Sequence, residues 1–210
     1  MKCTLCNSGT VFFFIDENYR RTYHQCTQCK SVLLHRDDYI SQQNEKERYE
    51  SHNNDIHDPG YQKFVQPVVD KVTGLYAKEE IGLDYGCGPG PVIAHLLKKQ
   101  GYSVTTYDPY FDPTPQVLNN TYHYIVACEV IEHFHHPRQE FQKLKNLLKP
   151  GGRLICKTDP YTQQVDFSNW YYKNDETHTI FYHPDAFEWI KNELRFSELK
   201  MNGRIIVFRR

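Results

Sequence analysis

Three sets of residues in this chain have the types and spacing of working chemistry. In Asp84-Tyr85-Gly86-Cys87-Gly88-Pro89-Gly90 an apolar run ends in an acid, and glycine then recurs at every second position. Glycine permits positive φ and leaves peptide N–H groups open, so this stretch suits a turn that holds a nucleotide-like ligand against bare backbone. In Glu129-Val130-Ile131-Glu132-His133, the spacing i, i+3, i+4 on a helical turn would direct two carboxylates and an imidazole to one side. Such a set moves protons or holds a divalent cation. The third set is two Cys-x-x-Cys pairs, Cys3/Cys6 and Cys26/Cys29, with 19 residues between them. Four thiolates so arranged make a tetrahedral structural Zn²⁺ site with no open position for chemistry. A redox disulfide pair and unliganded thiols are the alternatives, and a cytosolic setting argues against structural disulfides.

The elements that must position these groups can be read from periodicity. A buried strand over 81–85, the glycine turn and a helix from Val92 to Gln100 form one corner of a doubly wound α/β sheet. Val92, Ile93, Leu96 and Leu97 form the apolar stripe of that helix. Val104 to Tyr107 reads as a second strand ending at Asp108, and Tyr122 to Cys128 as a third that leads into Glu129. Leu148-Lys149-Pro150-Gly151-Gly152 turns a helix into the strand Arg153 to Lys157. Pro184 to Leu194 reads as a helix, and Asn202-Gly203 between two apolar runs signals a type I′ hairpin. At the N-terminus, strands Val11 to Ile15 and Arg21 to His24 flank a turn at Asp16-Glu17-Asn18. That fragment is too small to bury a core, so metal would supply its folding energy. The polar stretch 37–60 holds a predicted helix over Ser41 to Glu50 and is either a lid over the site or a solvated connector. A helix from Tyr61 to Val72 follows, with Pro67 expected to kink or split it.

A dinucleotide fingerprint would need glycine or alanine where Pro91 stands, which counts against the rival reading of a nicotinamide enzyme. The pattern Asp84-x-Gly86-x-Gly88-x-Gly90, followed in order by Asp108, Glu129 to His133 and Leu148 to Gly152, resembles class I S-adenosyl-L-methionine (SAM) methyltransferases over about residues 61–210. The resemblance implies an α/β, Rossmann-like sheet, parallel with an antiparallel C-terminal hairpin. It also implies that Asp84, Gly86, Cys87, Gly88, Gly90, Asp108 and Glu129 bind the cofactor, with Asp108 on the ribose hydroxyls. Only 13 residues, three of them proline, lie between Asp108 and Tyr122, where the family fits a helix and another strand. A shortened sheet edge is therefore expected, with Tyr110 and Phe111 against the adenine. His123 stands where the family commonly has an Asp.

Glu-x-x-Glu-His resembles two subsets of that family, the ubiquinone-pathway O-methyltransferases and the small-RNA 3′-terminal 2′-O-methyltransferases. In both these residues are associated with a divalent cation completed by a later histidine, and His178 stands in that place. The resemblance implies that Glu129, Glu132, His133 and His178 hold Mg²⁺, Mn²⁺ or Zn²⁺ and activate a hydroxyl. The metal-free alternative uses His133 or His178 as general base. The aromatic segment from Asn169 to His178 would lie at the ligand edge, as a cage for a flat substrate or packed beneath the surface. Cys87, Cys128 and Cys156 have no catalytic companion and read as small packing residues.

The 210 residues, 16 Tyr and 12 Phe among them, allow one full domain plus an appendage. The expected division is a zinc ribbon over 1–36, a linker or lid over 37–60 and a methyltransferase domain over 61–210. A net charge of −1 gives no broad basic surface for nucleic acid. No signal peptide or membrane-length apolar run is present in the sequence, so a cytoplasmic protein without a membrane partner is expected. The function expected is O-methylation of a small aromatic or polyhydroxylated molecule. The alternatives are an RNA methyltransferase whose ribbon grips RNA, and a SAM-binding regulator without catalysis.

Overall fold

The computed structural model describes residues 1–51 and 54–210, so His52 of the linker lies outside the described residues. The chain starts as a meander: β1 (Thr10–Asp16) pairs antiparallel with β2 (Arg21–Cys26), and β2 with β3 (Val32–Leu34). Asp16 accepts the N–H groups of Asn18 and Tyr19 and so closes the β1–β2 turn. Asn7 and Lys30 both take φ of 62°, each one residue past the second cysteine of its pair. These two matching turns aim the thiols at a common point.

Helix α1 (Gln42–Glu50) is capped by Ser41, whose hydroxyl accepts the Asn44 N–H. Helix α2 (Pro59–Thr73) runs unbroken through Pro67. Pro67 is exposed, so the carbonyl that loses its partner one turn earlier faces water and the helix is not split. Val65, Val68, Val69 and Val72 bury the other face of α2 against the sheet.

The central sheet follows: β4 (Gly82–Tyr85), β5 (Val104–Tyr107), β6 (Tyr122–Cys128) and β7 (Leu148–Lys157) are parallel, with helices α3 (Val92–Lys99) and α4 (Pro137–Leu147) in the crossovers. β8 (Ile180–Phe181) and α5 (Pro184–Glu193) precede the antiparallel pair β9 (Glu198–Asn202) and β10 (Ile205–Arg209). The strand order is β5-β4-β6-β7-β10-β9. The edge is shortened at β5 as expected: the proline-rich segment forms a single bridge between Asp108 and Asp112 and a 3₁₀ turn over Pro115–Asn119, with Val117 and Leu118 packed on the core. His123 accepts the Ile81 N–H at 2.9 Å, at the strand ends away from the glycine turn.

The hairpin turn differs from its expected form by one residue. Asn202 pairs with Ile205, so Gly203 and Arg204 are the central residues, and of these only Gly203 has positive φ (56°). Glycine in the first central position belongs to the II′ pattern rather than I′. The shift places Arg204 at the tip.

β8 does not join the central sheet. It pairs antiparallel with β3, Val32 opposite Phe181 and Leu33 opposite Ile180, so the second sheet runs β1-β2-β3-β8. Cys3, Leu5, Cys26, Cys29 and Leu33 consequently lie in the same buried cluster as Leu83, Phe141, Tyr182 and Phe208. Among the described residues, no helix is long and apolar enough to cross a membrane. The shared core makes a prediction. Leu33→Ala, at a fully buried position in β3, should lower stability by about 2–5 kcal/mol. Urea unfolding followed by tryptophan fluorescence and far-UV dichroism should still give one coincident transition. Two separated transitions would show that the meander and the central sheet have independent cores.

Candidate active site

The glycine turn leaves β4 with Gly86 at φ 73° and Gly88 at φ 65°. A Cβ on Gly86 would lie 2.6 Å from a Val130 methyl, so a side chain is excluded by contact as well as by conformation. Gly90 answers to a different neighbour: a Cβ there would lie 1.7 Å from the Asn54 carbonyl oxygen, where the linker crosses the turn. Asp108, at the end of β5, accepts the N–H groups of Gly88 (3.0 Å), Tyr110 (2.8 Å) and Phe111 (3.1 Å). It therefore fixes two loops at once. Asp84 is buried and accepts the Ala94 N–H of α3 at 3.1 Å; burial pushes its carboxyl up to about 7. Cys87 is half-buried, and burial raises its thiol pKa.

Gly86, Cys87, Gly88 and Asp108 open into a cavity of about 860 Å³, whereas Asp84 and Gly90 lie behind the turn and do not line it. Its floor carries Gly86, Cys87, Gly88, Asp108, Tyr110 and Phe111, and its far wall carries Glu129, His133, Tyr172 and His178. Helix α1 lies over it. Glu45 of α1, 6% exposed, accepts the Tyr110 hydroxyl and meets His135 Nε2, both at 2.9 Å. Arg48 pairs with Asp175 at 2.7 Å, and the Tyr49 ring meets the rings of Tyr110 and His133. The linker segment thus covers the cavity with contacts to three separate loops.

The far wall is built around Glu132, which has no exposed surface. The Tyr172 hydroxyl donates to Glu132 Oε1, while Oε2 finds no hydrogen-bond donor among the described residues. Burial, with the charge of Glu129 second, pushes the Glu132 carboxyl up to about 8. Ligand atoms of Glu132, His133 and His178 lie within 4.8 Å of one another, a spacing that a single cation could bridge. His133 Nδ1 is 3.1 Å from the Thr177 carbonyl and His178 Nδ1 is 2.7 Å from the Tyr172 carbonyl. A carbonyl only accepts, so each Nδ1 carries a proton, and in a neutral imidazole of that tautomer the lone pair lies on Nε2. Burial, together with the proximity of His178, pushes His133 down to about 3.

Glu129 stands apart from that trio. It takes φ of 52° at the end of β6, and only Ile131–His133 form a 3₁₀ turn. The expectation of one helical turn carrying all three residues is therefore corrected: the strand end redirects Glu129. Its two oxygens share Arg204 Nη2 (2.9 and 2.7 Å), and it meets Lys157 at 3.6 Å and the Tyr172 hydroxyl at 3.2 Å. Burial raises its pKa, and Arg204 and Lys157 oppose that rise. Tyr171 and Tyr172 reach the cavity, whereas Trp170 packs beneath them on Tyr161, Phe167 and Phe181.

In the N-terminal meander, the Sγ atoms of Cys3, Cys6, Cys26 and Cys29 lie within 4.8 Å of one another, with Cys3–Cys29 at 3.7 Å and Cys6–Cys26 at 3.3 Å. Tetrahedral Zn–S bonds of about 2.3 Å place sulfurs about 3.8 Å apart, so the four donors fit a zinc ion.

Sequence spacing named Glu132, His133 and His178, which come together, and Glu129, which is held beside them by other partners. It missed Arg204, Tyr172 and Glu45. Arg204 lies 75 residues from the carboxylate it pairs with, and a single arginine after a turn carries no signal of its own. Tyr172 was visible only as one aromatic in a run of them.

Residues 60–196 match the family described as "Methyltransferase domain". A relative from Pseudoalteromonas atlantica, a tRNA U34 carboxymethyltransferase, is 27% identical, covering 45% of this chain and 35% of its own length. The chain thus spans about a third of the curated relative it matches. Among solved structures, a SAM-dependent methyltransferase from Archaeoglobus fulgidus superposes with a TM-score of 0.55 at 15% identity, covering 71% of this chain and 94% of the other. The 1,6-didemethyltoxoflavin-N1-methyltransferase of Burkholderia thailandensis, with bound 1,6-didemethyltoxoflavin and S-adenosylhomocysteine, gives 0.54 at 12% identity over 95% and 98% of the two chains. At these identities the likeness is one of fold.

The buried Asp84 makes a prediction about pH. Its folded-state pKa of about 7 lies above its ordinary 3.8, so its contribution to stability is fully present below about pH 4 and is lost as pH rises through 7. Asp84→Asn should leave stability nearly unchanged at pH 4 and raise it by about 2–4 kcal/mol at pH 8. Urea midpoints measured across that range would check it. A difference independent of pH would contradict the assignment.

Proposed function

The chain belongs to the methyltransferase-domain family, and on that premise we propose that it transfers a methyl group from SAM to an oxygen of a small aromatic or polyhydroxylated molecule. One observation carries this reading: His133 and His178 line the same cavity as Gly86, Gly88 and Asp108. At about 860 Å³ that cavity is near the upper end of small-molecule sites, which run to roughly 1,000 Å³, so donor and a small acceptor fit together.

SAM, when bound, would supply a methyl group on a sulfonium centre, to be attacked in line at its carbon by the acceptor oxygen, the C–S bond breaking to release S-adenosylhomocysteine. Open peptide groups of the glycine turn would face the donor's polar end, and Asp108 would exchange its backbone partners for the ribose hydroxyls. Tyr110 and Phe111 would flank the adenine. Helix α1, across the mouth, would exclude water from the reacting atoms. The acceptor hydroxyl would meet His133 and His178, whose Nε2 lone pairs are set by the carbonyls behind them.

The converging donors of Glu132, His133 and His178, with one Glu132 oxygen lacking a hydrogen-bond partner among the described residues, also suit a divalent cation, Mg²⁺, Mn²⁺ or Zn²⁺. Held there by Glu132, His133 and His178, it would lower the pKa of the acceptor hydroxyl. Glu129, already paired with Arg204, would then shape the wall rather than ligate. At the N-terminus we infer structural Zn²⁺ on Cys3, Cys6, Cys26 and Cys29, since the thiols converge and leave no site for substrate. A second reading, transfer to RNA, is favoured by the name of the P. atlantica relative. The covered cavity and the net charge of −1 support the small acceptor instead.

Calorimetry should show S-adenosylhomocysteine binding to the purified protein and no uptake of NAD⁺. With tritiated SAM and a panel of hydroxylated aromatics, Glu132→Gln and His178→Ala should lower transfer by roughly 10²-fold or more while changing S-adenosylhomocysteine affinity less than about threefold. NAD⁺ binding without S-adenosylhomocysteine uptake would refute the reading. Transfer confined to RNA, with steep salt dependence, would favour the second.

A further inference from the structure

The segment that carries Tyr172 and His178 has little structure of its own, a 3₁₀ turn over Tyr171–Asn174 followed by irregular backbone to Thr179. Part of what fixes it comes from the central domain, through Thr158, Glu129 and Glu132, and from Arg48 of α1, and part from the N-terminal meander. Lys173, between Asn174 and the cavity-wall residue Tyr172, turns away from the cavity and donates to Asp16 at the end of β1. Both partners are buried, with side chains 4% and 5% exposed. The Lys173 carbonyl accepts from the Tyr23 hydroxyl and from Arg21, both at 3.4 Å, and the Asn174 carbonyl accepts from Arg21 at 3.3 Å. Arg21 also approaches Glu176 at 3.7 Å. Past His178 the meander takes hold again: the Leu34 N–H donates to the Thr179 carbonyl, and β3 pairs with β8. His178 therefore lies between two attachments to the same small unit.

We propose that Asp16, Arg21, Tyr23 and Lys173 are positioning residues of the active site, which makes the cysteine-bearing meander an internal brace for the acceptor wall. The proposal rests on the reading of Tyr172 and His178 as site residues. A buried ion pair is a poor source of net stability, because desolvation consumes most of the attraction. This one is not isolated. Asp16 also accepts two backbone N–H groups, and Lys173 also donates to the Asn174 side chain at 3.2 Å, so its partners are satisfied and its geometry is defined. That geometry reaches the site through one residue of backbone: the Tyr172 hydroxyl bonds Glu132, and the Tyr172 carbonyl holds His178 Nδ1. A shift of the Lys173 anchor would move both contacts together.

The proposal separates stability from positioning, and so does its test. In the full chain, imidazole ¹⁵N spectra should show His178 as a fixed Nδ1–H tautomer, identified by its loss in His178→Asn. Asp16→Asn and Lys173→Met each leave one buried charge unpaired and should lower the melting temperature. The double variant removes both charges and should recover most of that loss. In all three, the His178 signal should collapse toward a tautomer average, and amide exchange over 171–178 should accelerate at least tenfold. Exchange over 82–99 should stay within about twofold. A fixed His178 tautomer with unchanged exchange in the double variant would overturn the proposal. None of these readouts uses a methyl donor, so failure of S-adenosylhomocysteine to bind would sink the methyltransferase reading while leaving the brace untouched.

Discussion

A carboxyl group taken wholly out of water constrains the rest of this structure. Burying Glu132 would be tolerable only if its oxygens were answered, and the protein answers one of them with Tyr172. Close by stand two imidazoles, each with its Nδ1 held by a backbone carbonyl. Neighbouring features follow from keeping that arrangement fixed. Glu129, the second carboxylate, is turned aside by left-handed backbone and neutralised by Arg204 and Lys157, which limits repulsion between the two acids. Backbone strain of that kind in a non-glycine residue persists where the surroundings over-determine it, and functional sites are where it collects.

Holding Tyr172 in place then becomes a requirement on distant parts of the chain. The central sheet supplies Thr158, which meets the Tyr172 hydroxyl, and strands from the N-terminus hold the carbonyls of Lys173, Asn174 and Thr179. This explains why the cysteine-bearing meander shares a core with the central sheet instead of hanging from it. A freely tethered module would leave the acceptor wall without its outer support. Helix α1 completes the enclosure from the other side, contacting the loops after β5 and β6 and the segment that carries His178.

The parts of this architecture legible in the sequence are those encoded by short, repeated spacings. The glycines at every second position, the paired cysteines and Glu-x-x-Glu-His each place several informative residues within one turn of chain. The shortened sheet edge was legible for a different reason: 13 residues with three prolines cannot form a helix and a strand. Long-range pairings were not legible. Glu129–Arg204, Glu45–Tyr110 and Asp16–Lys173 each join single polar residues across 65 or more positions, and none sits in a periodic pattern. Periodicity also misled at Glu129, because i, i+3, i+4 spacing implies one face only if the backbone is helical there. The hairpin turn was offset for a similar reason: Asn-Gly suits the centre of a I′ turn, but the pairing of Asn202 with Ile205 shifts the centre by one residue.

If Glu132, His133 and His178 are one ligand set beside the glycine-turn cavity, a divalent cation offered together with S-adenosylhomocysteine should settle among them. Anomalous diffraction at the manganese edge, from crystals grown with Mn²⁺ and S-adenosylhomocysteine, reads that out. The expected result is a peak about 2.0–2.3 Å from a Glu132 oxygen and from both Nε2 atoms, with S-adenosylhomocysteine seated on the glycine turn beside it. S-adenosylhomocysteine bound in the cavity with no peak at the trio, and Glu132 hydrogen-bonded through both oxygens to protein groups, would contradict it.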